Sequence, residues 1–275
     1  MNQQVSSAPL ELKPVKPIKI PVVVSSLGIG ALSIGLVLGV WYIVRYFVGA
    51  DLPTPQATAV VFWELIKDPF RNAGPNDQGI GRLLMSSLAR VSGGWLLGAI
   101  VAIPLGMLMG SIPFMQRLMN PIVQVLRPVS PLAWYPIALV ALKSTPNALL
   151  FVIFITSLWS TVLNTAFGVA SVPKDYKNVA RVFNFTTDRY VRQVLIPFAL
   201  PHILTGLRLS FGVAWMVIVA AEMLSGASGI GFFVWDSYNA LSYEKVISAI
   251  LVIGITGLLL DKIFEWAQKK VTYTV

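Results

Sequence analysis

Residues 91–116 read VSGGWLLGAIVAIPLGMLMGSIPFMQ: no charged side chain occurs from Val91 to Gln116, and Gly94, Gly98, Ala102, Gly106 and Gly110 recur every fourth residue. An uninterrupted apolar run of this length is what a helix needs to cross the hydrocarbon core of a bilayer. At 3.6 residues per turn the small residues share one face, so the helix carries a smooth stripe against which another helix can pack closely. The stripe's partner is either another helix of the same chain or a second copy.

Working outward, Ile20–Val44 and Ser144–Pro173 are also free of charge. Three further apolar runs are interrupted: Met119–Leu142 by Arg127 and four prolines, Leu207–Ser225 by Arg208 and Glu222, and Val246–Leu260, bounded by Glu244, Lys245, Asp261 and Lys262. Together they predict an all-α membrane protein with six transmembrane helices. Only 12% of the chain is charged and 56% is hydrophobic, with a mean hydropathy of +0.73, which excludes an ordinary soluble domain. The first run is long and lacks a small-residue cleavage motif, so it reads as a span rather than a signal peptide.

The net charge of +9 follows topology. With the amino terminus inside, Lys13, Lys16, Lys19, Arg117, Lys174, Lys177, Arg181, Arg189, Arg192, Arg208, Lys262, Lys269 and Lys270 fall on the inner side, thirteen of the 21 Lys and Arg. The outer side keeps Arg45, Lys67, Arg71, Arg82, Lys143 and Lys245. That bias places both termini in the cytoplasm and argues against a nucleic-acid partner, which would need one dense basic block. Tyr42, Tyr46 and Phe47 read as interfacial aromatics or as packing residues. With no cysteine and one histidine, His202, neither thiolate nor histidine-cluster metal sites can form, and no metal is expected.

The chain divides into a cytoplasmic tail (1–19), a first transmembrane helix (20–48), a periplasmic loop (49–82), a core (83–266) containing a cytoplasmic loop (171–206), and a second tail (267–275). Within the outer loop a short helix is expected near Ala57–Lys67, and Gly74-Pro75-Asn76-Asp77 forms a turn. Pro121, Pro128, Pro131 and Pro136 bend the third span. A bent span either lines a pathway or is simply kinked packing. Gly226–Tyr243 reads as an outer loop dipping into the interface.

The cytoplasmic loop opens SVPKDYKNVARVFN (171–184). Tyr176, Val179, Ala180 and Phe183 are spaced i, i+3, i+4, i+7, giving one apolar face, while Lys177, Asn178 and Arg181 lie largely off it. The predicted helix is too short and polar to span. Its apolar face is covered by lipid headgroups, by its own bundle or by another protein.

This segment resembles the cytoplasmic signature of the membrane subunits of ATP-binding-cassette importers: Glu-Ala-Ala, three residues, Gly, then a hydrophobic-Pro pair. Here it stands as Asn178-Val179-Ala180, Asn184 and Ile196-Pro197. The likeness extends to Leu195-Ile196-Pro197-Phe198-Ala199-Leu200-Pro201 with Gly206-Leu207-Arg208, and upstream to Ser87-Leu88-Ala89-Arg90-Val91, Pro104-Leu105-Gly106, Leu126-Arg127-Pro128 and Pro131-Leu132-Ala133-Trp134. Within that family the chain is most similar to the nitrate, sulfonate, taurine and bicarbonate group, and its outer stretch Asp68–Gly81 is similar to the cyanobacterial nitrate branch. The resemblance implies a type I importer (MetI-like) permease fold and a homodimeric pore for a small anion, nitrate or nitrite first, with bicarbonate or a sulfonate such as taurine as the alternative. It also implies two cytoplasmic ATP-binding subunits and a periplasmic or lipid-anchored solute-binding protein. Tyr176, Lys177, Asn178, Val179, Ala180, Arg181, Phe183, Asn184 and Pro197 would then couple to the ATPase.

No Gly-x-x-x-x-Gly-Lys-Ser/Thr loop occurs, so this chain binds no cofactor and ATP with Mg²⁺ belongs to partner subunits. Arg127 and Glu222 lie inside apolar segments and are expected to face the protein interior. Arg127, Trp134 and Glu222 are candidate pathway residues, with a structural ion pair as the other reading. Arg90 and Arg208 read as snorkelling side chains and Asp261 with Lys262 as a span-end cap. A secondary transporter or channel is the rival function. A membrane enzyme lacks any acid–base or nucleophile constellation.

Overall fold

The computed structural model describes residues 26–49, 51–74 and 77–271. The tail at 1–19, the start of the first span at 20–25, Pro75 and Asn76 of the outer turn, and residues 272–275 lie outside the described residues. The chain forms two units, one ending at Pro55 and one comprising Gln56–Val275.

In the first unit, α1 (Ser26–Val48) is apolar along most of its length, and none of its described side chains is fully buried. Such a helix takes lipid as its solvent. Near its outer end the Tyr46 and Phe47 rings meet edge to face at 5.6 Å. The Trp41 indole donates to the Pro53 carbonyl at 3.1 Å, tying the helix end to the chain that follows.

The second unit is a helical bundle with an outer cap. It comprises α2 (Pro55–Lys67), a hairpin of β1 (Asn72–Gly74) and β2 (Asp77–Gln78), α3 (Ile80–Ser111), α4 (Pro113–Leu126), a 3₁₀ turn (Pro131–Trp134) and α5 (Tyr135–Leu142). There follow α6 (Thr145–Ala170), α7 (Lys174–Val182), α8 (Thr187–Tyr190), a π turn (Val191–Leu195), α9 (Ile196–Ser225), α10 (Ile230–Asn239) and α11 (Tyr243–Val271). Among the described residues, five helices are long and apolar enough to cross a membrane, and six if α4 and α5 are counted together as one broken span.

At the centre, α6 is clasped between α3 and α9. A Cβ on Gly106 would stand 2.6 Å from the Thr165 Cβ and 2.7 Å from the Val162 carbonyl oxygen, and one on Gly94 would stand 2.6 Å from Ile153. Gly98 meets Ser157 and Gly110 meets Val169 in the same way. The stripe is therefore the α3–α6 contact within this chain, one helical turn answering another. On the opposite side Gly206 of α9 lies against Thr161 and Asn164, and Gly168 of α6 accepts the His202 side chain. His202 is thus a helix-packing residue.

The predicted third span is two helices meeting at 91° rather than one kinked rod. The prolines explain the break. Pro128 follows α4, Pro131 opens the 3₁₀ turn and Pro136 lies in the first turn of α5, where a missing N–H costs nothing. Of these four prolines only Pro121 is internal to a helix. The expected outer loop at Gly226–Tyr243 contains α10, which buries Ile230, Gly231, Val234 and Ser237 against the bundle. Two other boundaries also move. α3 begins before Val91 and includes Arg82 and Arg90, and residues 187–225 run as one 39-residue helix reaching well into the expected loop. The short outer helix starts at Pro55, and Asn72 pairs with Gln78 across the expected turn. α2 is seated by Thr58, whose carbonyl accepts from Ser248 of α11 at 3.3 Å.

Replacing Gly106 with leucine should lower the stability of the detergent-solubilised chain by about 1–3 kcal/mol. Gly212→Ala, where a Cβ meets nothing within 4 Å, should leave it unchanged. Chemical unfolding of the two variants side by side checks this.

Candidate functional site

α7 lies just beyond the cytoplasmic end of α6. Val172 is buried, Pro173 takes an extended conformation (φ −59°, ψ 147°) and caps the helix, and Asp175 and Arg181 sit in its first and last turns, each favourable to the helix dipole. Tyr176, Val179 and Phe183 share an exposed apolar face, joined by Val182, which is 76% exposed. Ala180 departs from the expectation that it belongs to that face: it is only 6% exposed and turns toward the bundle. A small side chain fits there because α7 lies close to the ends of α3 and α6, beside a hollow of about 760 Å³ lined by Gly110, Val169, Ala180 and Leu195. Lys177, Arg181 and Asn184 line this hollow too, and Asn178 is exposed.

The helix ends in a left-handed residue. Asn184 has φ +48°, its N–H donates to the Arg181 carbonyl at 3.0 Å and that of Phe185 to the Ala180 carbonyl at 2.9 Å. These are the paired bonds of a Schellman cap. Asparagine is among the side chains that best tolerate this conformation after glycine, so Asn184 ends α7 without strain. Beyond it, Thr186 caps α8, Arg189 stacks over Phe185 at 4.3 Å, and Arg192 pairs with Asp188 at 2.8 Å. Pro197 lies in the first turn of α9, directly after the π turn in which the Ile196 N–H reaches back to Val191. Proline cannot donate to Gln193, and widening the preceding turn accommodates that loss. Pro197 sets the start of α9, and the next residue, Phe198, meets the Tyr176 ring of α7 at 6.1 Å.

Inside the bundle the charges are paired. Glu222 is wholly buried, and Arg90 donates to its Oε1 at 2.8 Å. The Ser87 hydroxyl lies 2.8 Å from both carboxylate oxygens, and the Gly231 N–H donates to Oε2 at 3.0 Å. Ser87 also accepts from the Ile230 N–H, and Arg90 reaches the Ser228 carbonyl. A Cβ on Gly229 would run into the Glu222 carboxylate. Glu222 is the anion of a buried network joining α3, α9 and the start of α10, the ion-pair arrangement, and Arg90 is its partner rather than a snorkelling side chain. The serine and glycine contributions carry no charge pattern, so the sequence hid them. Arg208 likewise binds Asp261 bidentately, at 2.7 Å on each oxygen, clamping α9 to α11. Asp261 is thus no span-end cap, while Lys262 and Lys269 both pair with Glu265.

Arg127 is different. It caps the carboxyl end of α4 at the 91° break, and among the described residues no carboxylate lies within ion-pair reach of it. An unpaired charged residue at mid-bilayer costs roughly 2.5–3.5 kcal/mol on insertion scales and is a functional candidate by default. Arg127 lines two hollows. One is shared with Asn120 and Gln124, the other with Trp134, Trp159 and Ser160. Arg127 and Trp134 are therefore together, and Glu222 is apart from them.

The described residues thus form a helical bundle with a broken span and an amphipathic surface helix at one end. The chain belongs to the family described as binding-protein-dependent transport system inner membrane component, whose pattern matches residues 102–273. It is 44% identical over 241 residues to the nitrate import permease protein NrtB of Synechocystis sp., covering 88% of each chain. It is 42% identical over 233 residues to the bicarbonate transport system permease protein CmpB of Synechococcus elongatus, covering 84% of each. Among solved structures, the MetNI methionine ABC transporter superposes with a TM-score of 0.61 at 18% identity, over 70% of this chain and 95% of that one. The fold is accordingly the type I importer permease fold, and the chain is a multi-pass plasma-membrane transport subunit, not an enzyme. Subunits of this kind work with ATP-binding subunits and a solute-binding protein.

Truncating Glu222 to alanine should destabilise the fold by about 1–3 kcal/mol, because the buried Ser87 hydroxyl and the Gly231 N–H would lose their acceptor and the half-buried Arg90 its anion. The double variant Arg90→Ala/Glu222→Ala should lose less than the sum of the two single ones, measured as a double-mutant cycle in mixed micelles. At the helix end, Asn184→Gly should be neutral and Asn184→Val should cost about 1–2 kcal/mol.

Proposed function

We propose that this chain is the pore subunit of an ATP-driven nitrate importer. What carries the reading is its likeness, along most of both chains, to the nitrate permease of Synechocystis. The bicarbonate permease is nearly as similar, so bicarbonate is the second reading. Two copies of the chain form the pore, two ATP-binding subunits bind below it with ATP and Mg²⁺ on them, and a solute-binding protein delivers the anion from outside.

Tyr176, Val179 and Phe183, with Val182, are the side chains that seat in the ATPase. An exposed apolar cluster on a charged amphipathic helix requires cover, and a partner's groove supplies it. Lys177, Asn178 and Arg181 contribute polar contacts at its rim. Ala180 and Asn184 act from behind, Ala180 by holding the helix against the bundle and Asn184 by ending it. Movement of the ATPases is passed through α7 and the Pro197 turn to the long helix 187–225, shifting the bundle between its inward- and outward-open forms.

Val179→Asp and Phe183→Asp should each leave membrane insertion intact and reduce co-purification of the ATP-binding subunits and nitrate uptake by at least about tenfold. Uptake in vesicles holding the whole transporter is the assay. Nitrate-stimulated ATP hydrolysis with none from bicarbonate supports the nitrate reading, and the reverse result replaces it with bicarbonate.

A further inference from the structure

We infer that Arg127 is the intramembrane contact for the anion in transit, a way station built at the break between α4 and the 3₁₀ turn. This rests on the reading of the cargo as a small anion. The two hollows that meet on Arg127 measure about 550 and 200 Å³. The smaller is walled by Thr156, Trp159 and Ser160, which lie halfway along α6, and by Val213, midway along α9. Arg127 is therefore level with the middle of the membrane. The headgroups are about 15 Å away in either direction, beyond the reach of one side chain, so lipid phosphate cannot neutralise it.

The surrounding donors are also unengaged. Neither the Asn120 nor the Gln124 side-chain amide in the larger hollow, nor the Ser160 hydroxyl in the smaller, has a hydrogen-bond partner among the described residues. Thr156 differs, since its hydroxyl already donates to Val152. A guanidinium flanked by free N–H and O–H donors, with Trp134 and Trp159 as apolar walls, suits a small planar oxyanion that accepts through two oxygens at once. A donor set shared between two hollows lets the anion exchange partners across Arg127 without being held tightly, and transport requires release as well as capture.

The chain has no cysteine, which makes the site directly testable. In vesicles containing the complete transporter, Val129→Cys places a thiol in the smaller hollow, and its labelling by a methanethiosulfonate reagent is read on this subunit after co-purification with the ATPases. Nitrate should slow that labelling, and the protection should vanish when Arg127→Gln is added. Arg127→Gln should lower uptake by at least about tenfold and Arg127→Lys by less, because lysine keeps the charge but not the fork. If no anion protects the thiol, or if protection and uptake survive Arg127→Gln, the inference is overturned. Protection by bicarbonate and not by nitrate upholds the site and overturns the nitrate reading instead. Should Arg127→Gln fail to assemble, protection in the Arg127-containing protein decides the matter alone.

Discussion

The architecture depends on the approach of two backbones. Small residues at every fourth position of α3 bring it onto α6 so closely that no side chain fits between them, and Gly168 and Gly206 repeat the arrangement between α6 and α9. In lipid there is little hydrophobic gain in joining helices, so contact area and interhelical polar bonds must hold them. Trp95 of α3 and Thr161 of α6 both bond to the Ser210 hydroxyl of α9, supplying such polar links at the same level. Within this unit, α10 and α2 lie outside this three-helix core, α11 at its flank and α7 below.

The two ion pairs do a different job. Arg90 with Glu222 closes the outer end of the core and Arg208 with Asp261 fixes α9 to α11. Within an apolar bundle such pairs contribute more to register than to net stability, because the cost of desolvating them is large. With four charges spent on each other, Arg127 stands out as the cation left over at the break of the third span.

Much of this was legible in the sequence because the membrane imposes a simple rule on it. Charge-free runs gave the spans, and the four-residue repeat of Gly94 to Gly110 gave the contact face. The prolines around Arg127 announced irregular backbone, although only the structure turned it into a right angle. What remained hidden was pairing across distance. Arg90 and Glu222 are far apart in the chain, and each alone looks like a stray charge. Ala180 was misplaced for a related reason: periodicity locates a face but cannot tell which edge of it meets the bundle. Asn184 was the reverse case: its left-handed backbone (φ +48°) is a conformation that periodicity does not reveal.

The π turn at Val191–Leu195 also sets angular phase. One extra residue in a turn rotates everything beyond it by about 100° relative to what precedes it. The face of α9 that carries Gly206 and Ser210, aimed at α6, thus begins just beyond an overfilled turn. That same turn separates the part of the chain that meets the cytoplasm from the part that is locked into the core. The glycine contact and the buried carboxylate of α9 both lie beyond this turn, while α7 and its exposed apolar face lie before it.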